Sequence, residues 1–161
     1  MEKKVVKLLD EQVAKEFHSA YLYLGIAEYF SAQNLSGFAS WYKVQAEEEI
    51  EHGMKIYDYL LKNDCAVSLP AIEAVDSNYK NALEAVKAAD KHEHYITDEI
   101  CKIYDAADKA KDYRTKLFLN WFIEEQEEEE ENSGDMVNKV SLLYKDPANL
   151  YLLDKELSKR E

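Results

Sequence analysis

One segment decides how this chain folds, Glu48-Glu49-Ile50-Glu51-His52, because it places charged side chains in the middle of a long helical pattern. Glu49 and His52 are three residues apart, so both side chains point the same way from one turn of a helix. A carboxylate oxygen and an imidazole nitrogen in this arrangement can bind one divalent metal ion, and the pair suits iron, manganese or zinc. A second acidic segment, Glu125-Gln126-Glu127-Glu128-Glu129, repeats the feature. The rest of the sequence decides whether these charged groups meet partners.

The composition favours an all-α protein with one domain over residues 1–161. Only 4 Gly and 2 Pro occur among the 161 residues, and this balance favours helices over hairpins and turns. A chain of this length can bury a sizeable core. The formal net charge of -13 argues against nucleic acid and anionic membranes as partners, since both need basic patches. It is compatible with the binding of cations.

The cysteines and the N-terminus predict a cytoplasmic protein. Cys65 and Cys101 form no CxxC pair, which argues against a thiolate zinc site and against a disulfide framework. Residues 1–10 contain no uninterrupted apolar run, so we expect no signal peptide. No stretch of the sequence is long and apolar enough to be predicted as a membrane span.

Apolar residues that recur about every 3.5 positions predict four long amphipathic helices. The segment 63–76 interrupts this pattern with Pro70 in its middle, and it is too long for a tight helical hairpin. Asp76-Ser77 offers an N-cap for the third helix, and Asp146-Pro147 opens a short fifth one. The predicted helices span about residues 5–33, 38–62 and 77–109, then a stretch that follows a link at 111–112 and includes 118–143, and finally about 148–158. Two short links and one long crossover between helices two and three predict a four-helix bundle.

The recurring apolar residues of each long helix form a stripe along one face, and this stripe should be buried. Near the midpoint of each helix, polar residues take positions on the stripe. Antiparallel packing brings these positions to one level of the bundle. They are Glu16 on the first helix, Gln45, Glu49 and His52 on the second, Glu93 on the third, and Gln126 and Glu129 on the fourth.

These polar residues predict a dinuclear metal site. Buried ionised carboxylates cost several kcal/mol each in desolvation unless they are paired, and no basic residue lies on a stripe at this level. Bound cations are the remaining way to compensate the charge. Glu49 is central and is the predicted bridge, with Glu16 and His52 on one metal and Glu93 and Glu129 on the other.

The residues around this predicted site leave alternatives open. Gln126 is either a weak ligand or a hydrogen-bond donor. Tyr23, two turns after Glu16, is either a core tyrosine or a redox partner beside the metals. Glu48, Glu125 and Glu128 adjoin the ligands and form either a third cation site or part of a solvated acidic face.

Four further side chains are expected to be structural. His18, His92 and His94 flank stripe positions without occupying them, so we expect surface histidines. Trp121 is expected in the core or at an interface.

Several segments together are typical of one protein family. They are Glu16 with Tyr23, residues 46–52 (AEEEIEH), 91–93 (KHE), 120–126 (NWFIEEQ) with Glu128 and Glu129, and 150–157 (LYLLDKEL). In these segments the chain resembles the bacterial non-haem ferritins over essentially its whole length. The resemblance implies a ferritin-like bundle and a shell of 24 subunits, with the fifth helix lining the fourfold axes. It also implies oxidation of Fe(II) by O2 or H2O2 and storage of the product as ferric oxyhydroxide.

The resemblance further assigns residues. It implies a ferroxidase centre that holds two irons per subunit, with Tyr23 beside it, and a third iron site. The ferroxidase residues are Glu16, Glu49, His52, Glu93, Gln126 and Glu129, and the third site comprises Glu48, Glu125, Glu128 and Glu129.

The chain departs from related families at specific positions. A bacterioferritin would carry a second ExxH motif in the fourth helix, where this chain has residues 126–129 (QEEE), and a haem-binding Met where this chain has Ile50. We therefore expect no haem. Animal ferritins line their threefold channels with acids where this chain has Lys116 and Leu119, so an acidic threefold channel is not expected.

Two other classes of function remain as alternatives. One is a rubrerythrin-like diiron peroxidase that lacks a rubredoxin domain, since the chain has no paired CxxC motifs. The other is a structural helical bundle whose core acids are protonated and free of metal.

Overall fold

Antiparallel helices form the whole framework of the computed structural model, which describes residues 1–159. Helix α1 packs along α2, α3 packs along α4, and the two pairs meet through α1 and α3. The helices are α1 (Lys3–Ala32), α2 (Ser36–Lys62), α3 (Ala82–Lys109), α4 (Tyr113–Leu143) and α5 (Pro147–Leu157). This arrangement confirms the predicted four-helix bundle with a long crossover between α2 and α3 and a short fifth helix.

Two residues after the end of each of the first three helices, one residue adopts the left-handed backbone conformation. Asn34, Asp64 and Lys111 have φ angles of 59°, 54° and 54°, and none of them is the glycine that usually takes this position. After α1, for example, the Leu35 N–H donates to the carbonyl of Phe30 at 3.0 Å. These bonds satisfy the last carbonyl groups of a helix and turn the chain sharply.

The predicted start of α3 near residue 77 is wrong. The Asp76 side chain accepts from the backbone N–H of Asn78 at 2.9 Å and forms a local turn within the crossover. Asn81 is the N-cap, since its side chain accepts from the N–H of Glu84 at 3.0 Å. Glu84 in turn accepts from the N–H of Lys80 at 2.7 Å, which completes a reciprocal capping arrangement. The crossover therefore extends over residues 63–81.

The first turn of α2 is built with the help of α5. The sequence predicts a helix from about residue 38, whereas α2 starts at Ser36 with no cap from its own N-cap residue. Instead Asp154 of α5, which is fully buried, accepts from the N–H of Phe38 at 3.0 Å. A Cβ on Gly37 would lie 1.7 Å from the backbone oxygen of Asp154. Only glycine allows α5 to approach α2 this closely.

Two apolar cores fill the bundle on either side of its midpoint. The α5-side core contains Phe30, Phe38 and Val140, among other residues. The opposite core contains Leu9 and Ile100, together with the start of α4. Each long helix contributes to both cores, and its polar midpoint residues lie between them. Among the residues that the structure describes, no helix has both the length and the apolar character needed to cross a membrane.

Candidate metal centre

A layer of polar side chains separates the two apolar cores, and we call it the polar layer. The seven stripe residues predicted from the sequence all belong to it, and each is at most 6% exposed. They are Glu16, Gln45, Glu49, His52, Glu93, Gln126 and Glu129. Four helices contribute to the layer, because each long helix passes the same level of the bundle.

Glu16, Glu49 and His52 form one half of the polar layer. One potential ligand atom from each of the three lies within 4.8 Å of the others, and His52 Nδ1 is 3.5 Å from Glu49 Oε2. Gln12, one turn before Glu16, donates from Nε2 to Glu16 Oε1 at 2.9 Å. Glu16 Oε2 is buried and has no hydrogen-bond partner in the described part of the chain. An acceptor oxygen of this kind is open to a cation.

Glu93, Gln126 and Glu129 form the other half. Gln126 Nε2 donates to Glu93 Oε2 at 3.2 Å, so this amide acts as a hydrogen-bond donor in the described geometry. Gln45 Nε2 donates to Glu129 Oε1 at 2.8 Å and lies 3.4 Å from Glu49 Oε1. Gln45 therefore links the two halves and holds their carboxylates in position.

Tyr23 lies at the edge of the second half, on the α5 side. Its hydroxyl group donates to Glu93 Oε1. The ring stacks on Tyr42 with 5.8 Å between centroids and meets His92 edge-on at 6.4 Å. Tyr23 is thus a core residue whose polar end reaches a candidate ligand.

Burial and mutual repulsion raise the pKa values of the carboxyl groups in the polar layer. Burial raises the pKa of Glu16 to about 8, with the charge of Glu49 as the second cause. The pKa of Glu93 rises to about 8 through burial and the charge of Glu129. Burial opposes the charged form of His52, but the hydrogen bond and charge of Glu49 outweigh it and raise the His52 pKa to about 9.

The acids predicted as a third site are placed unequally. Glu125 Oε1 is 3.8 Å from His52 Nε2, and together with Glu129 these residues form a second group with ligand atoms within 4.8 Å. Glu48 is half-buried, whereas Glu128 is exposed. The structure therefore brings Glu125 to the polar layer and leaves Glu128 at the surface.

An acidic cleft of about 540 Å³ opens between α2 and α4 beside this second group. Trp121 packs edge-on against His52, with 5.4 Å between ring centroids. Lys55 places its ammonium group 3.4 Å above the Trp121 ring. The acids that line the cleft are Glu48, Glu51, Asp58 and Glu125.

The prediction of surface histidines is correct only for His94. His18 and His92 are half-buried, and His92 Nε2 lies 2.7 Å from the hydroxyl of Ser19. Burial lowers the pKa of His92 to about 4, so this ring is neutral at pH 7. The error arises because α1 and α3 pack closely enough to cover the border of the stripe.

Sequence reasoning missed Gln12, Ser19 and Thr97. Gln12 is four residues before Glu16 and is fully buried, so the same helical spacing could have identified it. Thr97 Oγ1 accepts from Gln126 Nε2 at 3.2 Å, and no sequence pattern marks that contact.

Lys116 and Leu119 do not lie on one surface. Leu119 is fully buried in the opposite core and therefore faces no channel. Lys116 forms an ion pair with Asp108 across the link between α3 and α4.

The donor set of the polar layer fits divalent cations. Among residues 1–159, it offers four buried carboxylates and one imidazole with no lysine or arginine in the layer, and one carboxylate oxygen has no partner. Carboxylate-rich sites with an imidazole suit iron, manganese or zinc. Metal binding would displace the protons that burial retains on Glu16 and Glu93.

Comparison with known proteins gives consistent results. A family model for the ferritin-like domain matches residues 6–143. A bacterial non-heme ferritin of Staphylococcus saprophyticus is 35% identical over 160 residues, which cover 99% of this chain and 96% of the relative. A bacterial non-heme ferritin of Campylobacter jejuni is 34% identical over 154 residues, which cover 96% of this chain and 92% of the relative.

Solved structures agree with these relatives. An open-pore ferritin from the archaeon Archaeoglobus fulgidus is 38% identical, with a TM-score of 0.98 over 100% of this chain and 99% of that chain. A form of the A. fulgidus ferritin engineered to be closed is 39% identical, with a TM-score of 0.97 over 100% of this chain and 98% of that chain.

Proposed function

The chain belongs to the ferritin family, and on that premise we propose that it oxidises Fe(II) at the polar layer and stores the ferric product. Iron is both the substrate and the stored cargo. The observation that carries the proposal is the polar layer itself. Among the residues that the structure describes, its buried acids outnumber its cationic groups and Glu16 Oε2 has no partner. An apolar layer would have cost the fold less, so the acids are best explained by cation binding.

The roles of the residues follow from their positions. Glu49 is placed to bridge two irons, with Glu16 and His52 on one side and Glu93 and Glu129 on the other. These oxygen-rich ligands favour Fe(III) over Fe(II), because hard oxygen donors stabilise the higher charge. Gln126 and Tyr23 orient Glu93 through hydrogen bonds and are assigned to the centre as supporting groups.

The electron balance suits a pair of irons. Two Fe(II) ions each lose one electron, and O2 with two protons takes up both electrons to form H2O2. With H2O2 as the oxidant, two electrons and two protons give two molecules of water. The carboxyl groups with raised pKa values release protons when the metal binds, and these protons are available to the reduced oxygen.

We assign the third iron site to Glu48, Glu125 and Glu128 with Glu129. Glu125 is the best-placed of the additional acids, since it lies beside both His52 and Glu129. The exposed Glu128 would bind iron only as an outer ligand. The acidic cleft beside this site would concentrate Fe(II), because clustered negative charge attracts cations.

For the assembly we propose a shell of 24 subunits in the cytoplasm, which would enclose the ferric oxyhydroxide. The support comes from family membership and from the close structural match to ferritins. The alternative of a rubrerythrin-like peroxidase is not favoured, because the reported relatives and solved structures are ferritins.

The test is the substitution Glu49→Ala, compared with Glu47→Ala on the same helix. Glu47 is an exposed carboxylate, so its loss controls for the change in charge. We expect Glu49→Ala to slow Fe(II) oxidation at least about 100-fold, since even supporting residues of metal sites contribute 10–100-fold. Absorbance of the ferric product measures the rate, and His52→Ala with His94→Ala as its control repeats the comparison.

Storage is tested on the wild-type protein. Apo-protein incubated with Fe(II) in air should yield a soluble ferric core inside a particle of several hundred kDa, as gel filtration with iron analysis would show. Binding of only about two irons per chain would refute storage. Unchanged oxidation in both Glu49→Ala and His52→Ala would refute the site.

A further inference from the structure

We propose that neutral oxidants reach the polar layer through a second opening between α2 and α4, at Trp41, Asn132 and Met136. This opening is separate from the acidic cleft. The proposal rests on the function proposed above and adds the path taken by the second substrate.

A small cavity adjoins the polar layer on its α5 side, and we call it the core cavity. Its volume is about 20 Å³, which is enough for one water-sized molecule. The residues around it include Tyr23, Glu93 and Glu129. A small molecule in the core cavity therefore touches the second half of the polar layer directly. The polar lining suits a small oxidant that accepts or donates hydrogen bonds.

A larger cavity of about 380 Å³, the outer cavity, lies between α2, α4 and α5. Trp41, Asn132 and Met136 line both the core cavity and the outer cavity. Asn132 is exposed and Trp41 is half-buried, whereas Met136 is 4% exposed. The boundary between the two cavities therefore consists of side chains. Methionine is unbranched and adapts its shape easily, so a rotation of the Met136 side chain can connect the two cavities.

The two openings differ in charge. Among the described residues, the acidic cleft has four acids, opposed by Lys55 and the imidazole of His52, and it reaches the polar layer at His52 and Glu125. The outer cavity balances Asp135 and Glu156 with two lysines. Lys139 Nζ lies 3.9 Å from Glu156 Oε1. The field at the acidic cleft attracts a dication, whereas the balanced outer cavity has little effect on it and admits neutral molecules.

The two paths also approach the polar layer from different sides. The acidic cleft reaches the layer at His52, and the core cavity reaches it at Glu93 and Glu129. O2 and H2O2 carry no charge, so the balanced path does not disfavour them. Fe(II) from the acidic cleft and an oxidant from the outer cavity then meet at the polar layer.

The experiment uses Asn132→Trp, which fills the mouth of the opening, with Asn138→Trp as the matched control. Both asparagines are exposed on α4, but Asn138 does not line either cavity.

The probe is nitric oxide, a neutral diatomic molecule that binds Fe(II). In stopped-flow mixing with the anaerobic Fe(II)-loaded protein, we expect Asn132→Trp to bind nitric oxide at least about tenfold more slowly than Asn138→Trp. Oxidation by limiting O2 should slow by a similar factor, while anaerobic Co(II) binding stays unchanged.

Equal rates of nitric oxide binding in the two variants would overturn the proposal. So would a loss of Co(II) binding in Asn132→Trp, because that opening would then carry the metal. Wild-type protein that fails to oxidise Fe(II) would refute the proposed function instead. If Asn132→Trp does not assemble, Met136→Ala takes its place, and the widened opening should speed nitric oxide binding. An unchanged or slower rate in Met136→Ala would refute the path.

Discussion

The polar layer and the apolar cores on either side of it use the same four helices for opposite purposes. The opposite core packs residues such as Ile56, Ile96 and Ile100, each at most 1% exposed. One or two helical turns away, Glu16 and Glu93 are buried almost as deeply. Burial stabilises the fold by about 1.5–3 kcal/mol for each large apolar side chain, but it disfavours an ionised carboxylate.

This difference shows how the chain combines a stable fold with a reactive centre. The stability comes from the two cores, which hold the helices in register above and below the polar layer. The polar layer lowers the stability of the metal-free protein. Bound cations would offset the cost of burying its carboxyl groups. Proteins commonly accept such a local conflict only at functional sites.

The largest effect on stability should follow from a cavity in the opposite core. Ile100→Ala should lower the free energy of unfolding by about 2–5 kcal/mol, because it removes a fully buried side chain and leaves a void. Thermal or denaturant unfolding measures the loss. Leu69→Ala, at a crossover residue that is 66% exposed, is the control and should change stability by at most about 0.5 kcal/mol. An equal loss in the two variants would contradict the division between the cores and the surface.

For each pH unit, an intermediate effect should come from protonation changes in the polar layer. The pKa values of Glu16 and Glu93 are about 8 in the folded protein, against the ordinary value of 4.5. Between these values the folded chain keeps protons that the unfolded chain has released. The free energy of unfolding of the metal-free protein should therefore fall as pH rises from about 4.5 to 8, by up to about 1.4 kcal/mol per pH unit for each group.

His52 contributes with the same sign at higher pH. Its pKa is about 9 in the folded protein and 6.5 ordinarily, so its stabilising contribution is complete below 6.5 and is lost as pH rises toward 9. Thermal unfolding from about pH 5.5 to 8.5 measures the trend, and Glu93→Gln should flatten it. Saturating Zn²⁺ should oppose the trend, because metal displaces protons from the ligands. If stability changes with pH equally in the wild-type protein and in Glu93→Gln, the raised pKa of Glu93 is contradicted.

The smallest effect should come from neutralising one acid. Glu16→Gln should raise the stability of the metal-free protein at pH 8 by about 1 kcal/mol, because the relief of a buried charge is largely offset by the cost of burying the new amide. The new amide also offers a donor to Gln12 Oε1, which is buried without a partner. Thermal unfolding measures the gain. Glu11→Gln, an exposed position on the same helix, is the control, and a destabilised Glu16→Gln would show that the carboxylate supports the fold.

The periodicity of the sequence predicted the polar layer residue by residue. Glu16, Glu49, His52, Glu93 and Glu129 were expected to be buried at one level, and all of them are. This prediction succeeds because an antiparallel bundle relates position along the chain directly to height in the fold. Once the apolar stripes are known, the position of each polar residue along its helix gives its height in the bundle.

The predictions that failed concern residues at the borders of elements. Asp76 looks like an N-cap, but Asn81 takes that role, since several turn-forming residues in the crossover compete for it. His92 lies next to a stripe position, and the packing of α1 on α3 covers it. In each case the outcome depends on a neighbouring element.

The sequence by itself determined the helices, the long crossover and the acids and histidine of the polar layer, because helical periodicity and side-chain chemistry are local properties of the chain. Only the tertiary structure decided how Asp154 caps α2 from another helix, how Gln45 links Glu49 to Glu129, and where the openings between α2 and α4 lie. These features form where side chains from distant segments meet, and their geometry depends on how closely the helices pack.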